Sequence, residues 1–276
     1  MKKISLFTLF FGAAFLAAVF GCGLFVYLFR YPCVDFSILV QSNQNAPSLL
    51  YDEKGIEWGR FCYDKREPVS IHVMPHHLLQ AFIAAEDWDF YNHHGLAWRS
   101  IIRSFLVNMR HGKIVQGAST ITQQLVKMLF YDNSRTFKRK IKEQFLTLLV
   151  EQQFSKEHIL ETYLNHIYFG SGLYGVSAAA QRFWGLSVAD LSADQSALLA
   201  AIICSPGHYS PLLFPYSALH RRNIILSKME HLRFISHQEY ETLSEQPLHI
   251  KSAPGDAWKS HSGPAGRGVP RMCGWP

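Results

Sequence analysis

The chain has 276 residues, 48% hydrophobic and 14% aromatic, which is enough for one fair-sized domain plus accessories and argues against global disorder. A net charge of +6 points to anionic partners, namely phospholipid surfaces, nucleic acid or phosphorylated substrates, yet no zinc finger or RNP-like strand marks a nucleic-acid module. The five cysteines fit no zinc spacing, and their odd count speaks against a disulfide framework; a Cys33–Cys62 bridge is the alternative outside the cytoplasm.

Met1-Lys2-Lys3 precedes an uncharged run from Ile4 to Phe29, closed by Arg30. That run matches the roughly 20 residues a membrane-spanning helix needs. It is longer than the core of a cleaved signal and lacks an Ala-x-Ala site. We read residues 1–30 as a cytoplasmic tip and a single uncleaved anchor, with the two lysines placing the N-terminus inside and the bulk of the chain outside. Residues 31–72 form a connector, in which Ser48 to Gly59 suggests two short strands around a turn containing Gly55.

From Pro75 the pattern becomes helical. Leu78, Leu79, Phe82 and Ile83 share one face of a helix ending near Glu86. Trp98, Ile101, Ile102, Phe105, Leu106 and Met109 make a second, stopped by Gly112. Thr120 caps a third, with Gln123 at the capping-box position. Ile141, Phe145, Leu148 and Leu149 form the apolar stripe of a fourth. Ser155 begins a fifth with Ile159, Leu160, Tyr163, Leu164 and Ile167 inward. Ser192 and Gln195 form another capping box before the apolar run Ala197 to Ile203, which predicts a central, buried helix. A late helix carries Arg221, Arg222, Ile224, Ile225 and Met229, and Ser236 with Glu239 starts a last short one. The mainly α domain covers 73–248; residues 249–276, rich in Gly, Pro and Ser, read as a disordered tail.

Two stretches carry chemistry. Glu86 stands at the end of an apolar helix beside Trp88 and Phe90, where partial burial would raise its pKa towards that of a general base. Asp87 instead suits a structural role on backbone amides. His93 and His94 invite a metal reading, but adjacent histidines point different ways, so a structural or solvated role is preferred and no metal site is assigned. Gly117 to Gln124 is a hydroxyl- and amide-rich turn opening a helix, a setting that favours anions, and Lys127 follows. It is not a Walker loop. Arg139 and Lys140 lie four and three residues before Glu143 and can both meet it; Arg135 adds a further positive group. The bland reading of that trio is a surface ion-pair cluster. Two acids in a cleft also suit a glycoside hydrolase. The cations favour transfer from a diphosphate donor, whose leaving group needs charge compensation rather than a proton.

Several ordered motifs resemble a known family. They are Glu-Asp-x-x-Phe-x-x-His-x-Gly (86–95), Gly-x-Ser-Thr-x-Thr-Gln-Gln-x-x-Lys (117–127), Arg-Lys-x-x-Glu (139–143), Ile-Leu-Glu-x-Tyr-Leu-Asn (159–165) and Tyr-Phe-Gly-x-Gly-x-Tyr-Gly (168–175). The chain resembles the peptidoglycan glycosyltransferase domain of class A penicillin-binding proteins and monofunctional transglycosylases over about 48–248. The resemblance implies a lysozyme-like, bilobal α fold whose smaller lobe touches the membrane. It implies polymerisation of lipid II into glycan strands, with inversion at MurNAc C1 and release of undecaprenyl diphosphate. By that analogy Glu86 is the general base. Glu143 is the second acid, assisting the leaving diphosphate or its metal and positioning the cations; Lys127 and Arg135 hold the diphosphate with Lys140 and Arg139 nearby, and Ser119, Thr120, Gln123 and Gln124 line the donor site. Glu161, Tyr163 and Asn165 look like architecture behind the cleft. A divalent cation, Mg or Mn, is compatible with this chemistry but required by no motif. The implied partners are lipid II, the growing strand and the bacterial inner membrane, with the catalytic domain on its extracytoplasmic side. Separate transpeptidases and cell-wall scaffold proteins are further candidates; nucleic acid is not.

Met128 stands where the family usually has Asn, and no Ser-x-x-Lys with Ser-x-Asn and Lys-Thr-Gly follows, so penicillin binding is not expected. The sequence fits a monofunctional enzyme with an unusual tail or a truncated bifunctional one, with the class A-like connector favouring the second. Two other readings stay open: a silent lipid II-binding remnant, and a lysozyme-like glycan-cleaving enzyme.

Overall fold

The computed structural model describes residues 68–113, 117–131 and 136–251, the strands at 48–51 and 57–61, and scattered residues between 12 and 39. Two compact units divide the chain, Met1–Val40 and Gln41–Pro276. In the first, the described residues Gly12, Phe15, Leu16, Val19, Phe20, Gly21 and Gly23 are helical and exposed. Among the described residues no helix is long and apolar enough to cross a membrane. Most of the expected anchor, the Cys33–Cys62 pair, Arg135 and the tail beyond Lys251 lie outside the described residues.

The second unit is mostly helical. It opens with an antiparallel hairpin, β1 (Ser48–Tyr51) and β2 (Glu57–Phe61), with Ser48 opposite Phe61. Then come α1 (His76–Glu86), α2 (Trp98–His111), α3 (Ile121–Phe130), α4 (Phe137–Gln153) and α5 (Lys156–His166). A small hairpin, β3 (Tyr168–Gly170) and β4 (Leu173–Tyr174), leads to α6 (Val176–Phe183), α7 (Ala193–Ile202), α8 (Pro215–His231) and α9 (His237–Glu245).

The core has two centres. Around one, α7 packs on α1 and α8, and Ala197 to Ile202 are almost wholly excluded from solvent, as their unbroken apolar run predicts. Around the other, α3 packs on α4 and α5 through Ile121, Leu125, Val126, Ile159, Leu160 and Leu164. The caps read from the sequence form. Thr120 and Gln123 close a capping box at the start of α3, and Ser236 and Glu239 do so at α9. At the head of α7 the Ser192 backbone N–H donates to Gln195 at 2.9 Å. Each such cap satisfies amides that the first helical turn cannot pair internally.

Two apolar stripes face differently from expectation. On α4 the buried positions are Glu143, Leu146, Thr147 and Val150, not the predicted Ile141, Phe145, Leu148 and Leu149. The inward face of α4 is partly polar because part of it meets a backbone turn as well as the apolar α3. Gly95 sits there at φ +86°, and a Cβ on it would lie 2.8 Å from Thr147 Cγ2 and 3.0 Å from Glu151 Cγ. On α2 only Ser104 is buried, while Trp98, Ile102, Phe105, Leu106 and Met109 are each more than half exposed.

Glu161 and Asn165 are architectural, as read. The Ile71 N–H donates to Glu161 Oε2 at 2.8 Å, and Asn165 brackets Val69 with two hydrogen bonds of 3.0 Å. They pin the chain entering the helical domain to α5. On the far side Arg222, wholly buried, donates to the Gln246 and Ser244 carbonyls at 2.6 and 2.9 Å and so ties the end of α9 to α8.

Gly95→Ala should therefore destabilise the domain by about 1–3 kcal/mol, from a left-handed backbone position and a methyl overlapping Thr147. Urea unfolding measures this; a change within a few tenths of a kcal/mol would show that α4 gives way freely.

Candidate active site

The site begins where α1 ends. Asp87, the C-terminal cap, is buried, and its carboxylate accepts from His93 Nε2 at 2.9 and 3.1 Å and from the Ile121 backbone N–H at 3.1 Å. The Gly95 N–H donates to His93 Nδ1 at 3.1 Å. Both ring nitrogens of His93 are thus engaged, which fits the structural role preferred from sequence. Thr120 Oγ1 donates to the Gly95 carbonyl at 2.7 Å. These bonds fasten the 86–95 loop to the start of α3.

That fastening aims one side chain of α3 at Glu86. Gln124 Nε2 donates to Glu86 Oε2 at 2.6 Å, and Tyr163 on α5 donates its hydroxyl to Gln124 Oε1 at 3.1 Å. Burial pushes the Glu86 carboxyl above the ordinary carboxylate value. The Gln124 hydrogen bond and the charges of Lys228 and Arg221 pull it down, and Asp87 adds a push upward. The result is a carboxylate more basic than usual yet still bathed in positive potential.

Glu86 opens into a cavity of about 1000 Å³. One wall is α2 with Ser100 and Arg103; another is the 117–120 turn with Ser119 and Thr120; a third is the end of α8 with Lys228, Glu230 and Arg233. Lys228 Nζ donates to the Ala85 carbonyl at 3.3 Å. Its pKa is lowered by burial and by Arg221, against the upward pull of Glu86.

The residues named from sequence are thus distributed over several settings. Glu86, Ser119 and Thr120 line the cavity, and Gln124 bonds to Glu86 directly. Gln123 is 2% exposed, with its Oε1 accepting from the Thr120 N–H at 3.1 Å, so its side chain serves the cap. Lys127 is exposed on the last turn of α3. Glu143 is 2% exposed, not the solvated partner of a surface cluster. Lys140 Nζ lies 2.5 Å from its Oε1, and Arg139 Nη2 4.0 Å from its Oε2. This trio sits on α4 beside Tyr131, whose pKa is raised by burial and then by Glu143. The described residues hold no group of three His, Cys, Asp or Glu that could bind a metal ion.

Sequence reading missed Lys228, Arg221, Arg103 and the hydroxyl of Tyr163. Arg221 and Lys228 are seven apart and share a helix face, a signal present in the sequence but without local meaning.

The chain belongs to the transglycosylase family, whose model matches residues 54–230. It is 47% identical over 204 residues to penicillin-binding protein 1A of Aquifex aeolicus, covering 74% of this chain and 28% of that protein. It is 38% identical over 224 residues to penicillin-binding protein 1A of Escherichia coli, covering 80% and 26%. The crystal structure of penicillin-binding protein 1A from Haemophilus influenzae aligns with a TM-score of 0.43 and 25% identity, over 75% of this chain and 21% of that one. The chain thus spans little more than a quarter of the length of these curated relatives.

Replacing Lys228 by Met should raise the Glu86 pKa further, because a pull on the ionised form is lost. Carboxyl-carbon NMR titration reads it; an unmoved Glu86 resonance would remove Lys228 from its electrostatics.

Proposed function

We propose that this chain polymerises lipid II, joining an acceptor GlcNAc to a donor MurNAc with release of undecaprenyl diphosphate. The observation that carries the reading is the Glu86 carboxylate, raised in pKa and held by Gln124 in a cavity walled by hydroxyls and cations. Glu86 takes the proton of the acceptor 4-hydroxyl. That oxygen attacks C1 of the donor as the C1–O bond to diphosphate breaks on the opposite face, so the anomeric centre inverts. The diphosphate leaves as an anion and needs positive charge rather than a proton. Lys127, Arg135 and Lys140 supply it, with Arg139 beside them and Glu143 holding Arg139 and Lys140 in place. A divalent cation, Mg or Mn, would add to that compensation, though no motif of the chain requires one.

Residues 73–248 form the catalytic domain in this reading, a bilobal fold with a smaller lobe that rests on the membrane. The exposed apolar face of α2, flanked by Arg99, Arg103 and Arg110, suits a bilayer surface carrying anionic headgroups. The exposed helical Phe15, Leu16, Val19 and Phe20 suit an anchor that sets the domain on the extracytoplasmic face of the inner membrane. A glycan-cleaving enzyme would need a proton donor for an alcohol leaving group; the second acid here is tied to two cations instead.

Glu86→Gln should lower the lipid II polymerisation rate at least about a hundredfold while leaving lipid II binding intact. Folding raises the Glu86 pKa, so its stabilising contribution is fully present below the ordinary value of 4.5 and is lost as pH climbs through the raised value. Above that raised value the ionised carboxyl costs stability, and Glu86→Gln should melt no lower than wild type there. Strand synthesis by the variant at the wild-type rate would remove Glu86 as base. Lys127→Ala should weaken lipid II binding about tenfold or more, the scale of one charge-assisted contact; unchanged affinity in a binding titration would sink the diphosphate clamp.

A further inference from the structure

We propose that Tyr163 is a positioning residue for Glu86, acting through the side-chain amide of Gln124; this rests on the reading of Glu86 as the base. Tyr163 lies on α5, wholly buried, and touches no substrate-facing wall of the cavity. Its ring stacks edge-on against Phe82 of α1 at 6.4 Å, and Phe82 stacks in the same manner on Phe169 of β3. That aromatic column fixes where the hydroxyl stands.

The hydroxyl resolves an ambiguity that Gln124 cannot resolve alone. A glutamine amide presents an acceptor oxygen and a donor nitrogen of nearly equal shape. Turned one way it donates to Glu86; turned the other it sets a carbonyl oxygen against a carboxylate. Tyr163 donates to Oε1 at 3.1 Å, so the NH2 group faces Glu86 Oε2 at 2.6 Å. The phenol stays a donor because burial, and then the negative charges of Glu86 and Asp87, hold its ionisation well above the ordinary tyrosine value. With Oε2 so occupied, Oε1 is the oxygen left to receive the acceptor's proton. The brace also favours the ionised carboxylate, opposing the burial that would otherwise keep it protonated.

Phenylalanine keeps every carbon contact of Tyr163, so Tyr163→Phe isolates the hydroxyl. In the full chain assayed with lipid II in detergent, this variant should keep KM within about twofold. It should lower kcat about fivefold to tenfold and move the acid limb of the kcat–pH profile up by about half a unit to one unit, the worth of one hydrogen bond. Gln124→Met should give the same displacement, and adding Tyr163→Phe to it should change nothing more. A Tyr163→Phe enzyme with the wild-type kcat and acid limb would overturn the proposal, whatever happens to its melting temperature. So would full additivity of the two substitutions. Carboxyl NMR titration of Glu86 separates the brace from the transferase reading. An upward pKa shift in Tyr163→Phe supports the brace even if no variant, nor the wild type, makes strands; no shift refutes it even if all of them do. If Tyr163→Phe does not fold, Gln124→Met alone decides, by the presence or absence of the same shift.

Discussion

The site depends on the buried carboxylate of Asp87. It ends α1, accepts from the first N–H of α3 and holds His93, which in turn receives the Gly95 amide. A negative charge at the positive end of a helix is electrostatically favoured, and Ile121 brings that end to within 3.1 Å. Because Ile121 and Gln124 share the first turn of α3, fixing one places the other. Gln124 can therefore meet Glu86 without a loop to position it. Removing the Asp87 carboxylate would leave a buried imidazole and a buried amide unpaired, and would loosen the aim of Gln124 together with the helix.

Around that clamp, opposing forces set the character of Glu86. Burial pushes its carboxyl towards the neutral form. The Gln124 hydrogen bond and the charges of Lys228 and Arg221 pull the other way. Lys228 is suited to this because it is itself partly desolvated and spends its ammonium on the Ala85 carbonyl, one residue from the carboxylate. Glu143 shows the contrasting case. Its Oε1 lies 2.5 Å from Lys140 Nζ and its Oε2 4.0 Å from Arg139 Nη2, so it stands between two cations. Two acids of the same chemical type thus stand in different surroundings, one held by a side-chain amide and the other beside two cations.

Much of this was legible in the sequence, wherever the determinant is local. The capping residues at Thr120 and Ser236 declare their helices within four positions, and the run from Ala197 declares a buried helix by composition. The 86–95 and 117–127 motifs did lie together. The failures are all long-range. The apolar residues of α4 suggested an inward face that packing gives to Glu143, Thr147 and Val150, because part of the partner surface is the Gly95 turn. Gln123 and Gln124 are indistinguishable by type, yet one caps a helix and the other holds the proposed base. Lys228 lies 142 positions from Glu86 in a helix with no motif of its own, and the Tyr163 hydroxyl gains meaning only through a contact 39 residues away.

The most direct test of this picture is a crystal structure of the Glu86→Gln chain with lipid II bound. The account predicts an acceptor 4-hydroxyl within about 3 Å of the residue 86 side chain, with the diphosphate against Lys127 and Lys140. Lipid II seated in that cavity with its hydroxyls far from residue 86, or bound only elsewhere on the domain, would contradict it.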